Sequence, residues 1–489
     1  MATEKTPLTA YERNLQHIQR KQESDKKKKI AGFAVLAAVA AGLLIWYAKT
    51  PSTPAAAAAP EAIPVAVNGS ELFCGITGHD AGYIKLPNKK DDHYFYWFFE
   101  SRSNPSTDPL VLWLTGGPGC SSMMAMLTEN GPCHVQSDLS TKLNPYSWTN
   151  ESNVVWLDQP TTVGFTYGAS EDADNSEDNV GENIFWFLQG FFEKHPELAG
   201  RDFYITGESY GGHYVPAAAH YVWEQNKLQK FKHINLKGIA IGNGITNPAV
   251  QNPHYIDMVD NQYNVTLVND TQLAQMKIDA VTCDELMQPC SKTNVTACQV
   301  GSEFCSEKLL QPLIDAKRNP YDLRMYCDKI DATECYDMNY VSKYLDAPNV
   351  REYLGVPSEH VGKWQECNLK VNMDFYMAGD PGMDFSPYVA DLLNDNLRVL
   401  IYAGDADMMC NWHGNNAWTK ALEWNGKAEF NAAEEYPYIT DSGINAGVVR
   451  SHDNRFTFLR IYNSGHMVPQ DQPEVALDML NKFLKNEKL

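Results

Sequence analysis

The stretch from Arg201 to Pro216, RDFYITGESYGGHYVP, constrains this chain more than any other. A β-type run at 202–206 leads into Gly207-Glu208-Ser209-Tyr210-Gly211, and a helical sequence follows without a spacer. Strand and helix must therefore meet in one sharp turn, with Ser209 strained and exposed at its apex. Gly211-Gly212 leave room for the helix to pack close behind. The plainer alternative is a glycine turn that happens to carry an exposed serine. It accounts less well for the strand and the helix on either side.

A serine hydroxyl is a poor nucleophile at neutral pH. It needs a base, and the base needs an acid to orient it. On a strand–turn–helix scaffold these should follow in the order Ser, acid, His, each at a strand end. Buried-type strands read at 110–114, 236–241, 397–402 and 456–462, with helical stretches such as 178–194 and 471–486. Strands that are apolar on both faces and alternate with helices predict a sheet covered on both sides. Its chemistry then gathers beyond the carboxyl ends of the strands. Asp405 and Asp407 follow the strand at 397–402, and His466 follows the one at 456–462. That position sets His466 apart from the other histidines.

Composition narrows the function classes. Among 489 residues, 40 Lys and Arg stand against 61 Asp and Glu, a net charge of −21, which argues against general nucleic-acid binding. The imbalance is uneven. Residues 1–29 carry eight basic and four acidic side chains, so the remainder holds 32 against 57, or −25. Residues 30–48, IAGFAVLAAVAAGLLIWYA, form an uncharged apolar run that would reach about 28 Å as a helix, close to a bilayer core of roughly 30 Å. Lys26–Lys29 precede it, and Trp46 and Tyr47 close it. The positive-inside rule then predicts a cytosolic tail at 1–29 and a type II signal anchor at 30–48. Everything beyond would be lumenal: a Pro/Ala linker at 49–64 and a folded domain over 65–489. A cleaved signal peptide is the rival, with small residues available at Ala55–Ala59.

Cysteine usage agrees with lumenal exposure, since all eleven lie after the apolar run. Cys283, Cys290, Cys298 and Cys305 are spaced to suit nested bridges, although four cysteines allow three pairings. No C-x₂₋₄-C pair is present, so no metal is expected. Sequons at Asn68, Asn150, Asn264, Asn269 and Asn294 also lie past the anchor and fit glycosylation in the secretory route. Residues 247–385 hold most of the cysteines and few buried-type strands. They read as a disulfide-stapled cap inserted into the α/β domain.

From about Gly82 onward the chain resembles the serine carboxypeptidases, in particular their carboxypeptidase Y-like members. The resemblance rests on WLTGGPGCSS, NPYSW, LDQPTTVGFTY, TGESYGGHYVP, IGNG, YAGDADMMCNW and GHMVP. It implies an α/β-hydrolase fold with a largely parallel sheet, and release of C-terminal amino acids from peptides and proteins through an acyl-enzyme at acidic pH. No cofactor is implied, and the location is the vacuole, lysosome or secretory lumen. It places the nucleophile, acid and base on Ser209, Asp407 and His466, with Asp405 supporting the loop. The backbone N–H groups of Gly117 and Tyr210 become the oxyanion donors. Recognition of the substrate carboxylate falls to Thr115, Gly116 and Glu208, with Glu129 as the partner of Glu208. Thr115 stands where the family carries Asn. Trp113, Ile245, Tyr255, Cys410 and Met467 fall at substrate-pocket positions, whereas Asn252 and Pro381 replace aromatics there. The implied disulfides are Cys120–Cys367, Cys283–Cys305, Cys290–Cys298 and Cys327–Cys335, with Cys410 free. Cys74–Cys133 follows from the even remainder. Related acyltransferases share such a triad, and a lumenal scaffold role is a second alternative. Glu208, an Asp in those acyltransferases, favours the peptidase.

Overall fold

The computed structural model describes residues 69–76, 78–329 and 335–489. The tail, anchor and linker expected at 1–64, together with Asn68, lie outside them. Among the described residues no helix is long and apolar enough to cross a membrane.

Ten strands, joined by the short pair Tyr167–Gly168, build one twisted sheet. In chain order they are β1 His79–Lys85, β2 Asp92–Phe99, β3 Leu110–Leu114, β4 Asn153–Leu157 and β5 Phe203–Glu208. They continue with β6 Leu236–Gly242, β7 Arg398–Gly404, β8 Tyr436–Ile439, β9 Asn445–His452 and β10 Phe456–Ile461. The spatial order is β1-β2-β4-β3-β5-β6-β7-β10-β9-β8. The six central strands, β4 to β10 in that order, pair in parallel, and antiparallel strands finish both edges. This is the α/β-hydrolase arrangement. The expected strands at 110–114, 202–206, 236–241, 397–402 and 456–462 are present to within two residues at either end.

Period-two alternation lets each central strand serve two cores. Leu110, Leu112, Leu114, Phe203 and Ile205 pack with helices Glu177–Lys194 and Gly211–Leu228, through Ile184, Phe187, Phe191, Val215 and Val222. Tyr204 points the other way and meets Phe483 of the C-terminal helix Pro473–Lys485 at 5.6 Å between ring centroids. Helices therefore cover both faces, and the strand ends are left for chemistry.

Between Gly242 and Arg398 the chain leaves the sheet, and among the described residues its strands there are Arg318–Asn319 and Asp322–Tyr326, which pair with each other. Helix Asp270–Met287 opens with a capping box, Asn269 accepting from the Gln272 amide and Gln272 bonding back. Cys283–Cys305 ties this helix to Val295–Cys305, and Cys290–Cys298 ties the segment between the two helices to the second. The structure also contains Cys74–Cys133, Cys120–Cys367 and Cys327–Cys335, and leaves Cys410 free and buried.

Several buried carboxyls shape the pH response of the fold. Asp158 accepts from Ser121 Oγ at 2.5 Å, Ser122 N at 3.0 Å and Phe165 N at 2.9 Å, yet burial still pushes its pKa up to about 7. Burial likewise lifts Asp92 and Asp380 to about 7 and Glu129 to about 8. Free carboxyls ionise near 4, so the folded state binds the extra protons from about pH 4 upward. Stability must fall as these protons are lost. Buried His213 and His413, lowered to about 4, oppose this trend only below about pH 6.5. We therefore expect the denaturant midpoint to drop between about pH 6.5 and 8, where the carboxyls act alone. An equal or higher midpoint at pH 8 would contradict this account.

Candidate active site

β5 ends at Glu208 and the next helix starts at Gly211, so the turn is two residues long. Ser209 sits in it with φ of +63°, a left-handed conformation that costs a residue with a side chain about 1–2 kcal/mol. Its backbone is held on three sides. Ser209 N donates to Gly242 O at 3.2 Å, and Ser209 O accepts from Gly212 N at 2.9 Å and Ile245 N at 3.0 Å. The neighbouring glycines are a packing requirement. A Cβ on Gly207 would lie 2.6 Å from Leu114 O, and one on Gly212 would lie 2.3 Å from Ile245 O. At Gly116 it would lie 2.3 Å from Tyr210 N and 2.8 Å from Ser209 Cβ. The WLTGGPG loop and the serine turn thus touch backbone to backbone.

Asp407, fully buried after β7, receives four donors. His466 Nδ1 lies 2.7 Å and Asn243 Nδ2 2.8 Å from its Oδ2, with Cys410 N at 3.3 Å, while Met409 N reaches Oδ1 at 2.9 Å. A carboxylate can only accept, so Nδ1 of His466 carries the hydrogen and Nε2 is left to take a proton. Ser209 and His466 both line one cleft of about 760 Å³. Asp405 does not join this chain of contacts. It accepts from Asn463 N at 3.0 Å, Gln262 Nε2 at 2.6 Å, Arg460 and Tyr263, and so fixes the start of the loop that carries His466.

At the floor of the cleft, the carboxyls of Glu208 and Glu129 face each other, both buried. Among the described residues no other donor reaches either oxygen of Glu129. Burial raises both groups, and Glu129 raises Glu208 further, so the pair retains a proton through neutral pH. Thr115, beside them, accepts the Trp113 indole N–H at 2.9 Å, which frees its own hydroxyl hydrogen to donate into the cleft. Gly117 also lines the cleft, and neither its N–H nor that of Tyr210 has a protein acceptor among the described residues.

The expected pocket positions divide. Met467 lines the cleft. Trp113, Ile245, Tyr255 and Cys410 lie outside its lining. Trp113 is buried behind Thr115 against Trp148, and Ile245 is turned toward the serine backbone. Tyr255 packs in the core cluster that also holds Met408, and the Cys410 thiol is buried beside the Ser209 hydroxyl. The walls that sequence reasoning missed come from Met124, Tyr321, Tyr336, Trp364 and the run Gln365–Lys370. Cys120–Cys367 crosses this wall, flanked by Ser121 N to Glu366 O and Asn368 N to Gly119 O, each 2.8 Å.

The sequence profile of the serine carboxypeptidases matches residues 75–486. The chain belongs to that family. It is similar to carboxypeptidase Y homolog A of Uncinocarpus reesii, 41% identical over 414 residues, covering 83% of this chain and 74% of that protein. A vacuolar serine-type carboxypeptidase of Saccharomyces cerevisiae is 40% identical over 430 residues, covering 86% and 82% respectively. Among solved structures, Kex1Δp, a prohormone-processing carboxypeptidase of Saccharomyces cerevisiae, superposes with a TM-score of 0.73 at 27% identity, covering 83% of this chain and 91% of that one. The enzyme is a serine-type carboxypeptidase, a hydrolase acting on peptide C-termini through an acyl-enzyme, with the acidic preference of its family.

One segment of the enzyme had no signal in the sequence. Residues 319–324 run between the acid loop and the base loop and hydrogen-bond to both. Pro320 O accepts from Met408 N at 3.0 Å and Met409 N at 2.9 Å, Leu323 N donates to Ala406 O at 2.9 Å, and His466 N donates to Tyr321 O at 2.8 Å. Arg324 closes the set, donating to Asn463 O at 2.6 Å and Asp471 Oδ2 at 2.9 Å. Asp471 in turn accepts Gly465 N at 2.6 Å. Arg324 therefore positions His466 without touching the cleft. Arg324→Ala should lower kcat roughly ten- to a hundred-fold, as ångström-scale misplacement does, while KM for a blocked dipeptide stays within about twofold. Arg324→Lys should recover part of the loss, and a variant altered in KM alone would refute the positioning role.

Proposed function

We propose that Ser209 Oγ attacks the last peptide bond of a substrate while His466 Nε2 takes its proton and Asp407 holds the imidazole. The tetrahedral oxyanion forms against the N–H groups of Gly117 and Tyr210. His466 then passes its proton to the departing amino acid, and a water activated by the same nitrogen releases the shortened peptide. The observation that carries the exopeptidase reading is the pair of buried carboxyls, Glu208 and Glu129, next to the serine turn. A protonated carboxyl donates a hydrogen bond to the free carboxylate of a substrate, and Thr115 Oγ1–H and Gly116 N–H add two more donors. An ester hydrolase has no use for such a clamp. Thr115 is shorter than an Asn amide, but the Trp113 indole fixes the direction of its hydroxyl.

One series of measurements tests both halves. Ser209→Ala and His466→Ala should each lower kcat by at least about 10⁴. Asp407→Asn should keep the fold and lose most activity through the wrong imidazole tautomer. For the clamp, the raised pKa values fix the sign. The pair is protonated at acid pH and loses its proton as pH climbs toward the value of about 8 reached by Glu129. KM for a blocked dipeptide should therefore rise with pH, whereas KM for its amidated twin should not. Glu208→Gln should flatten the rise, because an amide donates without titrating. A KM independent of pH between about 5 and 9 would dispose of the clamp.

We further propose that the catalytic domain works in the lumen of the vacuole or secretory pathway. Five disulfides and the vacuolar relative support this reading. Residues 30–48 would hold it to the membrane as a type II anchor, with residues 247–385 as its cap. Asn264 and Asn269 are exposed and suit glycans, whereas the amides of Asn150 and Asn294 donate to the carbonyls of Pro145 and Pro289. Full-length chain should resist carbonate extraction from membranes. Release into the soluble lumenal fraction, with a new N-terminus near residue 60, would show cleavage instead.

A further inference from the structure

Helix Leu369–Ala378, LKVNMDFYMA, buries only Val371 and Phe375. Its outer face carries Leu369, Met373, Tyr376 and Met377, which are 75%, 53%, 36% and 63% exposed. At 100° per residue these four fall within an arc of about 100°, forming one stripe about 12 Å long. A surface helix normally turns polar residues outward, and a contiguous exposed apolar strip marks a contact surface. The stripe is continuous with the cleft, since Leu369, Lys370 and Asn372 belong to its wall. Lys370 is paired with Asp374 at 2.5 Å, so the helix offers no unpaired cation beside the strip.

We infer that this stripe binds apolar side chains of the substrate upstream of the bond that is cut, and so selects peptides with hydrophobic tails. The inference rests on the cleft being the peptide site proposed above. With the terminal carboxylate held at Glu208, a longer peptide has to run out of the cleft, and Leu369 stands at that exit. Twelve ångströms accommodate about three to four extended residues. Two methionines give a surface that adapts to different apolar partners.

The test uses the full-length chain and three substrates sharing one C-terminal dipeptide. They are the blocked dipeptide, a decapeptide with Leu and Phe upstream, and a decapeptide with Ser and Gly upstream. Wild type should prefer the apolar decapeptide over the polar one by about tenfold in kcat/KM, the equivalent of about 1.4 kcal/mol. Met373→Gln/Met377→Gln should erase that preference and leave the blocked dipeptide within about twofold. Met373→Leu/Met377→Leu should keep it. Equal kcat/KM for the two decapeptides in wild type overturns the proposal, as does an equal loss on all three substrates in the Gln pair. If the Gln pair instead loses vesicle flotation or self-association with its peptide preference intact, the stripe covers lipid or a second copy, and the proposal fails. Failure of wild type to cleave the blocked dipeptide would refute the cleft assignment itself.

Discussion

Everything in the catalytic centre depends on a backbone held where a side chain-bearing residue does not rest. Ser209 adopts φ of +63° because β5 is wedged beside β3 and above the turn that follows β6. Leu114 O leaves no room for a Cβ at Gly207, and the Ile245 backbone leaves none at Gly212. The strain is balanced by the parallel sheet itself, whose central strands are buried along nearly their whole length. The fold and the nucleophile's exposure are thus one constraint, which is why a short glycine-spaced motif carries so much information.

Two carboxyl environments within one cleft then divide the labour. Asp407 meets four hydrogen-bond donors, whereas among the described residues Glu129 faces just another carboxyl. In the proposed mechanism the same functional group serves as an acceptor that orients a histidine in one place and as a proton reservoir that recognises an anion in the other. Both rely on exclusion of water. Trp113 illustrates the arrangement: buried behind Thr115, its indole N–H fixes the direction of the hydroxyl.

The sequence made legible those features that leave a local trace. Five central strands, the serine turn and the order of Ser209, Asp407 and His466 all follow from period, glycine spacing and position after a strand. The antiparallel edge strands β1, β8 and β9 went unread, because half-exposed runs such as HDAGYIK and YPYI lack a continuous apolar core. Tyr321 and Arg324 left no trace at all. Their contacts with Asn463, Asp471 and His466 span 139 to 147 residues of sequence and rest largely on backbone atoms, which carry no residue-type signal. Asn243 lies between these extremes. IGNG marks a turn, but the bonds of its side chain to Asp407 and to Gly404 N appear only once β6 and β7 stand side by side.

The insertion between β6 and β7 therefore does two jobs that sequence order keeps apart. Residues 319–324 lock the acid loop to the base loop, and residues 364–372 build the wall over the serine turn. A disulfide from Cys120 to Cys367 pins that wall to the loop carrying Gly116 and Gly117. The loops around His466 and the wall of the cleft thus both draw on one insertion. This explains why so bulky an insertion is stapled at several points, whereas a lid that only shielded the site from water would need to be free to move.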